Sequence, residues 1–248
     1  MQRFFVTADI IQDDLIELDK EQSHHILKVL RLKPGDYLEL FDGTGNEFLC
    51  RMHSQKNGLV LAEVQTREFR ANEPSARVIL AQGIAKGDKM DFIVQKAVEI
   101  GVSCIIPFAS ERTVVTLEQP KAEQKRKRWQ STAREACKQS RRNVIPEIGP
   151  IMKLPQLLDT LREKRAVMLY EGENIIGLRD ILTKYQDSLT AQSITIIVGP
   201  EGGFSHEETQ RAQNNNVSIA GLGPRILRTE TAGLVAASII LYEGGDLG

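Results

Sequence analysis

The sequence has few cysteines, few aromatic residues and no long apolar run. Its 248 residues include three cysteines, Cys50, Cys104 and Cys137, which are far apart and show no CxxC or Cys/His ligand spacing. This pattern argues against a disulfide framework and against a metal site. The longest mostly apolar stretch, residues 232–242, is about half the ~20 residues that a membrane span needs. The N-terminus also lacks an apolar run of signal-peptide length. We therefore expect a cytoplasmic protein with no membrane partner.

Charge is nearly balanced overall but unevenly distributed. Lys and Arg number 32 against 33 Asp and Glu, so net charge alone gives no reason to expect binding to a polyanion. Residues 121–142, however, hold nine Lys and Arg against two Glu, and four of the cations are spaced for a shared helix face. Clustered cations attract phosphates, although a solvated surface helix would show the same composition. The candidate phosphate contacts are Arg134, Lys138, Arg141 and Arg142.

A second, smaller group of basic residues lies near the N-terminus. The first seventy residues carry nine Lys and Arg against twelve Asp and Glu, so this part of the chain is mildly acidic. The basic residues nevertheless include a local set that could form a cationic rim. The candidates in this set are Arg3, His24, Lys28 and Arg31.

The hydrophobic pattern changes once along the chain. Residues 1–72 contain short strand-like runs separated by glycine turns, a pattern that predicts a small β-barrel. From residue 73 onward, apolar strand-like segments alternate with helical ones. Strands that are apolar on both faces are typical of a parallel sheet covered by helices on both sides. The sequence thus predicts an α/β protein with two domains, 1–72 and 73–248.

The strongest local motif is the GPEGG loop, residues 199–203, between a predicted buried strand and a predicted helix. Open α/β sheets bind ligands at such loops, at the carboxyl ends of their strands. The glycine spacing fits neither a dinucleotide fingerprint nor a P-loop, and Glu201 would repel a polyphosphate. The loop therefore favours an uncharged or cationic ligand, with a tight turn that binds nothing as the alternative. Ser205 and Glu208 are spaced for a capping box on the helix that follows.

Two further loops follow predicted strands in the last eighty residues. The segment LGPRILRTETAG, residues 222–233, places the apolar pair Ile226 and Leu227 between two arginines, and Thr229 or Thr231 could cap the helix that follows. The segment LYEG, residues 169–172, forms the third loop. Three loops at strand ends predict one small-molecule pocket.

The motifs GPEGGFS and, about twenty residues later, LGPRILRTETA resemble the SPOUT class of methyltransferases. Within that class, the sequence is most similar to the small-subunit (16S) ribosomal RNA (uracil-N3)-methyltransferase family. The blocks HHILKVLRLKPGD, QGIAKGDKMDFIVQKAVEIGVSCIIPF and EACKQSRR fit the same family, so the resemblance covers the whole chain.

The resemblance implies a PUA-like β-barrel that binds RNA over residues 1–72. Residues 73–248 would form a SPOUT methyltransferase domain with a deep trefoil knot. It also implies a homodimer that acts on ribosomal RNA, within the small ribosomal subunit, and S-adenosylmethionine bound in a bent form in the knot. The implied cofactor-binding residues are Leu169, Tyr170, Glu171, Gly172, Gly199, Pro200, Glu201, Gly202, Gly203, Leu222, Gly223, Ile226, Leu227, Arg228 and Thr229.

Methylation of uracil N3 requires removal of a proton and support for the negative charge that remains. We expect Arg228 to stabilise that charge on a uracil oxygen, and Glu201 or Glu230 to accept the proton or orient the base. Alternatively, Arg228 could simply pair with Glu230, and Glu201 with a backbone N–H. The two basic groups would hold RNA phosphates.

Other functions remain open from the sequence. A SPOUT methyltransferase could act on another RNA position, such as a ribose hydroxyl or a transfer RNA base. A non-catalytic RNA-binding ribosome assembly factor would keep the basic residues but would need no cofactor pocket. A nucleotide-binding α/β enzyme is disfavoured because no phosphate-loop signature is present.

Overall fold

The computed structural model describes residues 1–11, 14–69, 72–113, 119–172, 175–186 and 189–247. The chain divides into two compact units. The first combines Met1–Glu73 with Cys137–Ile145, and the second combines Pro74–Ala136 with Pro146–Gly248. The segment Cys137–Ile145 thus belongs to the first unit, whereas the sequence placed it within a continuous second domain.

The first unit is built on a five-stranded sheet with the strand order β1-β3-β4-β5-β2. Strands β1 and β3 are parallel, and the remaining pairs are antiparallel. A short α-helix runs directly into a π-helical segment, His25–Leu30. The elements are β1 (Arg3–Phe5), β2 (Leu15–Glu17), α1 (Lys20–His24), β3 (Tyr37–Phe41), β4 (Asn46–Lys56) and β5 (Leu59–Phe69).

Alternating apolar residues explain how this sheet buries one face. Leu38 and Leu40 of β3 and Cys50 and Met52 of β4 are all buried, as a period of two along a strand requires. The turn between β4 and β5 has positive φ at both Asn57 and Gly58, which suits a tight two-residue hairpin. Strand β5 extends to Phe69.

The second unit contains a seven-stranded sheet in which every pair of strands is parallel. The predicted α/β fold with a parallel sheet is therefore confirmed. The strand order is β12-β10-β11-β6-β7-β8, and β9 also pairs with β7. The elements are β6 (Val78–Gly83), α2 (Lys89–Ile100), β7 (Cys104–Ala109), α3 (Gln119–Ser140), β8 (Glu147–Ile148), β9 (Met152–Lys153), α4 (Leu154–Thr160), β10 (Arg165–Leu169), α5 (Leu178–Thr183), β11 (Ile194–Val198), α6 (His206–Asn214), β12 (Ser218–Ala220) and α7 (Thr229–Glu243).

Four adjacent parallel strands, β12, β10, β11 and β6, end at the same edge of this sheet. Every residue of β11 is buried, as expected for a central strand covered on both faces. Helix α7 packs against β6 and β11 with a mostly apolar side. Its Gly233 allows this close packing, because a Cβ at this position would lie 2.9 Å from Leu80 Cδ1. Among the described residues, no helix combines the length and apolar character that a membrane crossing requires.

Candidate active site

The three predicted loops meet in one cavity of about 820 Å³ in the second unit. The loops follow β10, β11 and β12, which are neighbours in the sheet and therefore end side by side. All fifteen residues predicted to bind the cofactor line this cavity, and so does Glu230. The structure therefore brings the predicted cofactor-binding and catalytic residues together.

Backbone geometry shapes the GPEGG loop. The N–H of Gly203 donates to the carbonyl of Pro200 at 2.9 Å, and Gly203 has a φ of 64°, which favours glycine. The helix α6 then begins with the predicted capping box. Glu208 N–H donates to Ser205 Oγ at 3.2 Å, and the Glu208 carboxylate accepts from Ser205 N–H at 3.0 Å. Hydrogen bonds thus fix the loop internally and the start of the helix that follows it.

A buried hydrogen-bond relay links two of these loops to the end of β6. Gln82 Nε2 donates to Thr229 Oγ1 at 2.9 Å and to the carbonyl of Gly83 at 3.0 Å. Thr229 Oγ1 in turn donates to the carbonyl of Gly199 at 2.6 Å. The prediction that Thr229 or Thr231 caps α7 is wrong: the N-cap is Arg228, and the Thr229 hydroxyl is committed to Gly199.

Lys89, the first residue of α2, holds two carboxylates on the cavity wall. Its Nζ lies 3.1 Å from Glu201 Oε1 and 3.3 Å from Glu230 Oε2. No sequence motif marks Lys89, because KGDKMD has the appearance of an ordinary helix start. Its position directly after a strand that borders the pocket strands is the signal that could have identified it.

Hydrogen bonds keep Glu201 ionised. Burial alone would raise its pKa, but hydrogen bonds from the backbone N–H groups of Glu201 and Lys86 and from the Lys89 ammonium outweigh burial and lower the pKa. The bond from Lys86 N–H measures 3.1 Å. Glu201 thus pairs with a backbone N–H, as the alternative interpretation of the sequence proposed. The pKa of Lys89 is raised, chiefly by its hydrogen bond to Glu201.

Arg228 projects into solvent from the loop that follows β12, within residues 222–233. Its side chain is 82% exposed, and its guanidinium lies 4.0 Å from Glu230 Oε1, at the outer limit of an ion pair. Ile226 on the same loop is also 78% exposed, which is unusual for an isoleucine. Both side chains can therefore contact a ligand. Within the described ranges, no group of three or more His, Cys, Asp or Glu side chains could hold a metal ion.

Two of the predicted phosphate contacts are buried inside the first unit, so the prediction is wrong for them. The Arg3 side chain is 5% exposed, donates to the carbonyl of Arg142 at 3.0 Å and lies over the ring of Phe41. Burial lowers the pKa of Arg3, while nearby Glu47 partly opposes the shift. Arg142 is equally buried and forms an ion pair with Glu73. Both arginines hold the unit together and do not face solvent.

The other predicted RNA contacts differ in exposure. His24, Lys28 and Arg31 are exposed at α1 and the π-helical segment. Arg141 is exposed beyond the end of α3, whereas Arg134 and Lys138 on that helix are half-buried. Trp129, the single tryptophan, is buried and therefore belongs to the core. The cations that remain available are thus fewer than the sequence suggested.

Comparison with known protein families identifies the class of protein to which this fold and cavity belong. Residues 71–241 match the RNA methyltransferase domain family, and residues 18–64 match the RNA methyltransferase PUA domain. The two matches divide the chain in the order that the sequence predicted. The fold and cavity are thus those of an RNA methyltransferase.

Relatives of known name narrow this class. Ribosomal RNA small subunit methyltransferase E of Bacillus subtilis is 36% identical over 248 residues, covering 98% of this chain and 97% of the relative. The protein of the same name from Rickettsia conorii is 34% identical, with 98% and 96% covered. The crystal structure of the Neisseria gonorrhoeae enzyme of that name, bound to S-adenosylmethionine, superposes with a TM-score of 0.85 at 34% identity and 96% coverage of both chains. The chain belongs to the ribosomal RNA small subunit methyltransferase E family.

Proposed function

We propose that this protein transfers a methyl group from S-adenosylmethionine to N3 of a uridine in small-subunit ribosomal RNA. The observation that carries the proposal is the single cavity in which all three glycine-containing loops meet, with Arg228 exposed at its wall. Family membership supplies the reaction class, and the Neisseria structure supplies the cofactor class. The choice of uracil N3 rests on the motifs GPEGGFS and LGPRILRTETA.

The cavity suits S-adenosylmethionine in size and lining. Its volume of about 820 Å³ is within the range of small-molecule and cofactor sites. Cβ atoms added at Gly203 and Gly223 would meet no atom within 4 Å, so the backbone at these positions is open to a ligand. Ile226 and Leu227 offer apolar surface for an adenine ring, and backbone N–H and C=O groups can bind its polar edge.

When bound, S-adenosylmethionine supplies a methyl group attached to a positively charged sulfur. As the substrate nitrogen bonds to the methyl carbon, the bond from that carbon to sulfur would break and leave a neutral thioether. The protein must therefore remove the N3 proton and support the resulting uracil anion. It must also align the nitrogen with the methyl group, and such alignment contributes roughly 7–11 kcal/mol in favourable systems.

Arg228 and Glu230 are the side chains that we assign to these tasks. The exposed Arg228 guanidinium would donate to a uracil oxygen and stabilise its negative charge. The Glu230 carboxylate, beside Arg228, would accept the N3 proton. The pKa of Glu201 is lowered, which suits an ionised anchor, so we assign it the task of holding the GPEGG loop.

The substrate uridine must be unpaired, because N3 lies on the edge that forms base pairs. In the first unit, His24, Lys28 and Arg31 are exposed and can contact phosphates, and Arg141 offers a further exposed cation. Such contacts position RNA without reading its sequence. We further propose that residues 1–72 act as a PUA-like barrel, and that residues 73–248 contain the trefoil knot of SPOUT enzymes and form a homodimer.

Replacement of Arg228 tests the proposed chemistry. Arg228→Ala should reduce kcat for methyl transfer about 100-fold or more, as the loss of one donor to a developing negative charge does. Its affinity for S-adenosylmethionine, measured by calorimetry, should stay close to that of the wild type. Arg211→Ala, an exposed arginine on α6 outside the cavity lining, should leave both quantities unchanged. Full turnover in Arg228→Ala would remove Arg228 from the mechanism.

A further inference from the structure

Among the described residues, Lys89 contacts carboxylates from two of the cavity's structural elements. Glu201 comes from the loop after β11, and Glu230 comes from the first turn of α7. Lys89 Nζ lies within 3.3 Å of an oxygen of each carboxylate. The ammonium, at the start of α2, therefore ties the loop and helix α7 to a third element.

The same geometry determines which cation Glu230 binds. Lys89 lies 3.3 Å from Glu230 Oε2, whereas Arg228 lies 4.0 Å from Glu230 Oε1 and is 82% exposed. The Glu230 side chain is only 18% exposed. A largely buried carboxylate depends more on a cationic partner than a fully solvated carboxylate does. If Lys89 were absent, Arg228, which already lies 4.0 Å from Glu230, could take its place.

Other charged side chains accompany Lys89 on the cavity wall. Among the described residues, the cavity wall carries four cations and three anions. The charged residues that line the cavity are Lys89, Arg112, Arg225, Arg228, Glu171, Glu201 and Glu230.

We propose that Lys89 is a positioning residue that binds Glu230 and so keeps the Arg228 guanidinium free for the substrate. This inference rests on the proposed function, because it assumes that Arg228 acts on the uracil. Lys89 itself need not touch the substrate or the cofactor. Its contribution is to hold the Glu230 carboxylate at 3.3 Å, so that Arg228 stays at 4.0 Å and does not close on Glu230.

Substitutions at Lys89 separate this role from simple structural support. Lys89→Gln should lower kcat for methyl transfer roughly tenfold, whereas KM for S-adenosylmethionine should change less than about threefold. Lys89→Arg retains the positive charge and should restore most of kcat. Lys96→Gln is the matched control: Lys96 is on the same helix and pairs with Glu99 at 2.7 Å, but it does not line the cavity.

A double substitution tests whether Lys89 acts through Arg228. Because Lys89→Gln would act only by weakening the use of Arg228, the variant Lys89→Gln/Arg228→Ala should lose little more activity than Arg228→Ala alone. Additive losses would overturn the proposal, as would a Lys89→Gln enzyme with wild-type kcat. Loss of kcat that Lys89→Arg does not restore would overturn it too.

The controls distinguish this failure from failure of the proposed function. If the wild-type protein transfers no methyl group to small-subunit RNA, the proposed function is wrong. If the wild type is active and Arg228→Ala is equally active, the role of Arg228 is wrong. If Arg228→Ala is impaired and Lys89→Gln is not, only the role of Lys89 is wrong.

Discussion

At the scale of single residues, charged side chains were the hardest to assign from the sequence. Arg3 and Arg228 are both arginines beside apolar residues, yet one is buried over Phe41 and the other is 82% exposed. The difference depends on partners that are distant in sequence, such as the carbonyl of Arg142 for Arg3. Lys89 was missed for the same reason, since both of its carboxylates lie more than a hundred residues away along the chain.

Glu201 allows a prediction about the pH dependence of stability. Its pKa is lowered in the folded protein, so ionised Glu201 stabilises the fold above the ordinary pKa range of glutamate, and this stabilisation is lost as the pH falls through the lowered value. Glu201→Gln should therefore reduce the free energy of unfolding at pH 7 by about 1 kcal/mol, the typical size of a partly exposed hydrogen bond.

Denaturant unfolding at several pH values measures this effect. The gap between wild type and Glu201→Gln should narrow as the solution becomes acidic. Glu163→Gln, at an exposed position, serves as the control and should show no gap at any pH. A gap for Glu201→Gln that grows toward acidic pH would contradict the assignment.

At the scale of helices and strands, local sequence patterns predict most elements. They fail at a helix cap whose hydrogen bond is made to a residue far away in the sequence. The meeting of the three loops could be predicted because adjacent parallel strands end at one edge of the sheet. The cap at Ser205 follows from a local motif and is confirmed. The cap at Thr229 was predicted by the same rule and is wrong, because the hydroxyl bonds to Gly199, thirty residues earlier.

Substitution of Gly83, at the end of β6, tests the close contact between the end of β6 and the GPEGG loop after β11. A Cβ on Gly83 would lie 2.6 Å from the backbone nitrogen of Pro200, so the GPEGG loop would have to move. Gly83→Ala should destabilise the protein by about 1–3 kcal/mol and weaken the binding of S-adenosylmethionine. Thermal unfolding and calorimetric titration measure the two effects.

Gly149→Ala is the matched control for this substitution. A Cβ on Gly149 would lie 3.6 Å from its nearest neighbour, an ordinary contact, so stability and cofactor affinity should remain close to those of the wild type. If Gly83→Ala bound the cofactor as tightly as Gly149→Ala, the position of the GPEGG loop would not matter for binding.

At the scale of the whole molecule, the sequence predicted the order of the two units but not their exact composition. The change from short strands to alternating strands and helices lies close to the end of the first unit, Glu73. The return of Cys137–Ile145 to that unit was not predictable, because it depends on contacts such as the bond from Asn143 to Glu47 at 3.0 Å. Hydrophobic periodicity indicates local secondary structure and does not show that a later segment packs into an earlier unit.

The central claim is methyl transfer to uracil N3 of small-subunit ribosomal RNA. It is tested most directly by incubating the purified protein with small ribosomal subunits and S-adenosylmethionine carrying a labelled methyl group, then mapping the label by mass spectrometry of RNA fragments. We predict one labelled nucleotide, a uridine methylated at N3. Label on a ribose, on another base or on no nucleotide would contradict the account.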